Sequence, residues 1–199
     1  MNVYARIWCL RHAESENVVA GVAGVVPMSP LTSRGFRQAA SAARALGDEP
    51  ITSVYCSTAL RTQQTAAALL VGRKIDIVTL PELAEVGIGA AEAAADPGVR
   101  QQTAAVLRSW IVDQQLERRV ADGESGSEVL ARMTTALEQI ARDHDGESVV
   151  LVGHVASMSV TFAQLCGLGA RVWGIPLPHA VPFLVERNSK SWHCRSWPT

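Results

Sequence analysis

Four short apolar runs each lead into residues able to handle phosphate. Arg11 and His12 follow VYARIWCL (3–10). Ser57 closes ITSVYCS (51–57), with Arg61 a turn beyond it. Glu82 and Glu85 follow KIDIVTL (74–80), and His154 stands behind Gly153 at the end of ESVVLVG (147–153). An arginine fork matches phosphate oxygens two at a time, and a neutral imidazole is a competent nucleophile towards phosphorus near pH 7. A carboxyl group close by can move the proton. Taken singly, Arg11 reads as a solvated charge at a strand end and His12 as a surface or satisfied histidine. Placed together, the same residues point to phosphoryl transfer through a phosphohistidine.

An α/β sheet would place them together. The apolar runs read as strands, and helical spacing separates them. Phe36, Ala39, Ala40, Ala43 and Leu46 form one stripe, with Thr32 or Ser33 as N-cap and Gly47 as stop. An alanine-rich helix is predicted over 60–70 and a long one over 96–120, with Val99, Val106, Leu107, Trp110 and Ile111 on one side. A further helix carries Leu130, Met133, Leu137 and Ile140, and another spans 156–168. ESVVLVG is unbroken apolar chain, as the middle of a parallel sheet requires. AVPFLVERN and SKSWHCRSW predict a closing hairpin that turns at Asn188-Ser189. This order argues for an α/β domain with a largely parallel, layered sheet, whose ligands collect outside the carboxyl ends of the strands.

Composition narrows the partners. The 199 residues fit one domain, and 48% hydrophobic residues with 19% charged ones can build a core. Net charge is −1, and the arginines are scattered rather than striped, which gives nucleic-acid binding no support. No run reaches the roughly 18 apolar residues of a membrane span, and MNVYARIWCL has neither a long apolar core nor a small-residue cleavage site. A cytoplasmic protein is expected. Cys9, Cys56, Cys166 and Cys194 lie far apart without a paired motif, so inert buried thiols are the default reading, ahead of metal or disulfide.

The motifs resemble those of the histidine phosphatase superfamily, which also holds the cofactor-dependent phosphoglycerate mutases. RHAES (11–15), LTSRG (31–35), STALRTQQTA (57–66), LAEVG (83–87), GES (123–125) and VLVGH (150–154) occur in the family's order across nearly the whole chain. The resemblance implies a phosphoglycerate mutase-like, three-layer α/β/α domain over 1–199. A small helical insertion at about 81–122 would act as a partial lid. It implies His12 as nucleophile, with Arg11, Arg61 and His154 around the phosphoryl oxygens. Glu85 would be the proton donor and then the base for water, ahead of Glu82. Ser57, Asn17 and Val155 complete the implied binding set, and no metal or other cofactor is called for. Asn17 fits loosely, because it stands one place short of the family's asparagine and Val18 takes that place.

Other departures are small. Ala13 stands where the family has glycine, and Cys56 where many relatives have serine; the latter reads as packing. His144, in RDHDGE, reads as solvated, and His193 as structural. His179, in PLPHAVP, lies close enough to be weighed as a substrate contact. GES reads as loop and helix-cap chemistry, with Glu124 structural.

The implied activity is metal-independent hydrolysis of a small-molecule phosphomonoester, with a homodimer left open. A mutase, a protein-phosphohistidine phosphatase and a catalytically dead phosphate-binding regulator are the alternatives. Mutases need extra cations around the pocket, and the entrance loop VVAGVAGVVPMSPL (18–31) has no charge. VGIGAAEAAADPG (86–98) has no cation either, so a substrate with a neutral or apolar remainder is expected. That expectation fails if Arg34, Arg37 or Arg100 folds over the pocket.

Overall fold

The computed structural model describes residues 3–198; the outermost residues of the expected 1–199 domain lie outside that range. A six-stranded sheet runs in the order β3-β2-β4-β1-β5-β6. Its strands are β1 (Val3–Arg11), β2 (Ile51–Cys56), β3 (Ile77–Thr79), β4 (Glu147–Gly153), β5 (Phe183–Asn188) and β6 (Trp192–Cys194). The four strands from β3 to β1 are mutually parallel, and β5 and β6 add an antiparallel hairpin.

The period-2 alternation of side chains sorts the strands into two cores. Ala5, Ile7 and Cys9 of β1 join Val149 and Leu151 of β4 on one face. Leu10 of β1 joins Val150 and Val152 of β4 on the other. The first face is covered by α4 (Pro97–Ile111), α5 (Gly126–Asp143) and α6 (Val155–Leu165). The second is covered by α2 (Ser33–Ala45) and α3 (Leu60–Leu69). The result is the expected three-layer α/β/α arrangement, in which β4 is buried on both faces, as its unbroken apolar run requires.

Several elements differ from expectation. The stripe on α2 is Gly35, Ala39, Ala42 and Leu46, and Phe36 is 47% exposed. The helix is turned this way because a Cβ at Gly35 would lie 2.0 Å from the Glu14 carbonyl oxygen, so only glycine lets α2 dock there. The helix expected over 96–120 stops at Ile111. The Gln114 side chain takes the Ile111 carbonyl, and Gln114 itself turns left-handed at φ 58°. The strand expected over 74–80 shrinks to Ile77–Thr79, a short, exposed edge strand. A short helix, α1 (Glu16–Val19), had no periodic signal. His144 is not solvated: it bonds the Tyr55 hydroxyl at 2.8 Å and Glu147 at 2.7 Å, with a side chain only 12% exposed. The hairpin turns at 189–191, where the Asn188 side chain accepts from the Lys190 and Ser191 amides.

Candidate active site

Parallel pairing of β1 with β4 sets Arg11 opposite Gly153, so the residues that follow each strand emerge side by side. The His12 amide still donates to the Gly153 carbonyl at 2.9 Å, and His154 is the N-cap of α6. The two rings stand 5.3 Å apart, centroid to centroid. Arg61, in the first turn of α3, reaches between them. Its Nε donates to His12 Nε2 and its Nη2 to His154 Nδ1, both at 3.2 Å. All three side chains are almost sealed from solvent, with Arg61 1% exposed.

A guanidinium only donates, so both nitrogens facing it must be lone pairs. The protons therefore sit on His12 Nδ1, which donates to the Ala13 carbonyl at 2.7 Å, and on His154 Nε2, which donates to the Ser57 hydroxyl at 2.7 Å. Ser57 passes its own proton to Thr62 at 2.8 Å, and Thr62 donates to the Ala59 carbonyl. Burial first, then Arg61, push His12 well below the usual histidine range. Burial first, then His12, do the same for His154. Both imidazoles are thus held neutral, with the unprotonated His12 Nε2 facing Arg61. Burial also pulls the Arg11 guanidinium down to about 10, against the opposing pull of Glu85. Arg11 stays charged near neutrality, and its buried Nε has no hydrogen-bond partner.

Glu85 lies at the N-terminus of α6, where its carboxyl group accepts from the Ala156 amide at 3.2 Å and the Ser157 amide at 2.9 Å. Such amides have no partner within the helix, and they favour an acidic group. Glu82 makes no such contact. Its carbonyl is held instead by Arg132, which also donates to the carbonyls of Ala84 and Glu85 and pairs with Glu124 at 2.7 Å. Glu124 in turn accepts from the Gly87 amide, and Ser125 caps α5 in a capping box. Sequence reasoning missed Arg132 as the brace for the Glu85 loop. No local signal marked it, since its bonds to the 82–85 segment run to backbone carbonyls remote in the chain.

Arg11, His12, Asn17, Arg61, Glu85 and Val155 all line one inner cavity of about 200 Å3. Asn17 accepts from Ser15 at 2.7 Å and donates to the Val22 carbonyl at 3.4 Å. Ser57 and His154, both expected to contact the phosphate, are absent from that lining: the Ser57 hydroxyl is committed to His154 and Thr62, and the fully buried His154 has both ring nitrogens engaged by Ser57 and Arg61. His179 donates to the His12 carbonyl at 2.9 Å, and the Ala180 amide donates to the Arg11 carbonyl at 2.9 Å. The 177–180 segment therefore clamps the Arg11-His12 pair from behind, with the Leu177 carbonyl accepting from the Arg11 guanidinium.

The uncharged 18–31 loop is pinned by charges from outside it. Arg61 donates to the Val26 carbonyl at 2.8 Å, which Val26 presents from a strained φ of 35°. Glu92 accepts from the Val25 and Ile88 amides, and Arg100 donates through one nitrogen to the carbonyls of Gly21 and Ala95. Arg34 instead pairs with Glu14, and Arg37 is exposed on α2. Among the described residues, no group of three or more His, Cys, Asp or Glu is placed to hold a metal ion, and no helix is long and apolar enough to cross a membrane.

Two arginines around two neutral imidazoles, with a carboxyl group beside them at the carboxyl end of an α/β sheet, form a site suited to transferring a phosphoryl group. The family model of the histidine phosphatase superfamily (branch 1) matches residues 7–199, and the chain belongs to that superfamily. It is 28% identical over 169 residues to an adenosylcobalamin/alpha-ribazole phosphatase of Salmonella typhimurium, covering 84% of this chain and 83% of that protein. It is 30% identical over 166 residues to a probable phosphoglycerate mutase, GpmB, of Proteus mirabilis, covering 83% and 76%. The alpha-ribazole phosphatase structure from Shigella flexneri matches with a TM-score of 0.79 at 25% identity, over 98% of this chain and 96% of that one. A mycobacterial hydrolase shares the fold, with a TM-score of 0.83 at 20% identity over 98% of each chain. The chain is accordingly an enzyme of the phosphatase and mutase kind.

Proposed function

We propose that this enzyme hydrolyses a small-molecule phosphomonoester through a phosphohistidine on His12. The observation that carries the reading is the placement of Arg61 between the two rings: its Nε–H occupies the single lone pair of His12 Nε2, so that nitrogen carries no proton and is freed for attack when the guanidinium turns to the phosphoryl oxygens. In the first step Nε2 attacks phosphorus and the bond to the leaving oxygen breaks. That oxygen takes a proton from Glu85, while Arg11 and Arg61 balance charge on the transferring group and His154, accepting from Arg61, orients its guanidinium. In the second step Glu85 takes a proton from water, the water oxygen bonds phosphorus, and the nitrogen–phosphorus bond breaks. The electron pair returns to Nε2, and the net change is ester plus water to alcohol plus phosphate. The 81–122 segment serves as a partial lid, with α4 as one wall.

Hydrolysis is preferred to mutase transfer because a retained bisphosphate needs a second set of cations. Arg100 is the only other cation lining the adjoining cavity, and one of its nitrogens is already spent on two carbonyls. Rapid quenching with labelled p-nitrophenyl phosphate in EDTA should trap an acid-labile, base-stable phosphoenzyme. His12→Ala should trap none and lose about 10^4-fold or more in kcat/KM. Full activity in that variant would sink the assignment.

A further inference from the structure

The hydrolytic chemistry uses the inner cavity and leaves a larger outer one unexplained. This outer cavity, of about 570 Å3, shares Arg11, Ala23, Thr103, Leu107, Val155 and Ala156 with the inner one, so the two adjoin. Its volume falls in the range of about 300–1,000 Å3 that suits a sizeable organic ligand. Ala104, Leu107 and Ile111 of α4 form one wall. Val172, Trp173 and Ile175 form the other.

Polar groups are sparse there. Thr103 has its hydroxyl committed to the Val99 carbonyl at 2.8 Å. Its charged lining groups are Arg11, which serves the phosphate of the inner cavity, and Arg100, which has one nitrogen committed to the carbonyls of Gly21 and Ala95. A sugar or a carboxylate placed between these walls would lose water and gain few partners, which costs binding. A flat ring loses nothing of that kind and can lie against an indole.

A second observation points the same way. Ile175 is 57% exposed, a large apolar side chain held at the lip of the cavity. Gly174, at φ +100°, makes the turn that sets Trp173 and Ile175 on the cavity together. Exposed apolar surface continuous with a cavity marks a place that a ligand covers.

We propose that the outer cavity receives the leaving group of the substrate, and that this group is a flat, uncharged system of about two fused rings packed against Trp173. The proposal rests on the inner cavity holding the phosphate, as inferred above.

Phenyl, 1-naphthyl and 4-carboxyphenyl phosphate have leaving groups of similar acidity, so differences among them read the pocket rather than the chemistry. The naphthyl ester should exceed the phenyl ester by about tenfold in kcat/KM, and the carboxyphenyl ester should fall below both. Trp173→Ala and Ala104→Trp should each collapse the naphthyl-to-phenyl ratio; position 104 is an exposed helix site, so its variant should fold. A ratio near one in the wild type, or a ratio that both variants leave intact, overturns the proposal. So does a preference for the carboxyphenyl ester that disappears in Arg100→Gln, which would assign the cavity to a second anion. Calorimetry on His12→Ala separates this failure from that of the phosphatase reading. 1-Naphthylmethylphosphonate should still bind about tenfold tighter than benzylphosphonate, and should lose that advantage when Ala104→Trp is added, whatever the catalytic role of His12.

Discussion

In the inner cavity Arg61 bonds through all three guanidinium nitrogens, to His12, His154 and the Val26 carbonyl. In the outer cavity Leu107, Ile111 and Trp173 present mainly apolar surface, with no comparable network. The inner residues stand at the ends of β1 and β4 or in the first turn of α3, elements locked by sheet pairing and two cores. The outer ones stand on α4 and the 172–176 segment, at the margin of the fold. Charge transfer needs groups held in fixed directions, because an electrostatic stabiliser that must reorient loses its advantage. Apolar contact has no direction and depends on area and shape, so it can be entrusted to peripheral walls. The comparison teaches that reaction type and substrate choice reside in separable parts of this molecule.

The largest expected effect tests the inner network. Arg61→Ala removes the bonds to both imidazoles and should lower kcat/KM by about 10^3-fold for every ester alike. Unequal losses that track the size of the leaving group would mean the two cavities are not separable. Glu85→Gln should follow, with a loss of about 10^2-fold or more on an alkyl phosphate and far less on p-nitrophenyl phosphate, whose leaving oxygen hardly needs a proton. Equal losses on the two substrates would leave Glu85 a purely structural role at the α6 N-terminus.

The smallest effect concerns pH and stability. His12 and His154 stay neutral in the fold well below the ordinary histidine range. The unfolded chain, with histidines near pKa 6.5, takes up protons that the folded chain refuses as pH falls below that value. Their contribution to stability is therefore intact above about pH 6.5 and is lost on acidification. At pH 5.5 the loss should be about 1 kcal/mol per histidine. Melting curves from pH 7.5 to 5.5 should show a shallower decline for a His12→Gln/His154→Gln double variant than for the wild type. Parallel declines would contradict the neutral tautomers. No outer-cavity substitution should alter that slope, since its only titratable lining groups are Arg11 and Arg100.

Much of this was legible in the chain itself. The strands show because period 2 and unbroken apolar runs are local signals, and Arg11, Arg61, Glu85 and His154 could be picked out because each follows a strand or opens the helix after one. Ala104, Trp173 and Ile175 carried no such mark, being ordinary apolar residues until the fold set them on one cavity. Arg132 was hidden as well, and His179, weighed as a substrate contact, gave no sign of its bond to the His12 carbonyl. Arg132 acts on the carbonyls of 82–85, and a bond to a distant backbone atom leaves no trace in side-chain periodicity.

By itself, then, the sequence determined the order of the main strands and helices and offered the residues proposed here as reactive, because local propensity and residue chemistry travel with the chain. Tertiary structure alone decided the rest. The β1–β4 register brought His12 beside His154, and Arg61 between them set which ring nitrogens carry the protons. The end of α4 at Ile111 and the turn at Gly174 shaped the outer cavity. The physical reason is that proton placement and cavity shape depend on distances between segments remote in the chain, which come into being only once the sheet has closed its register and the helices have packed upon it.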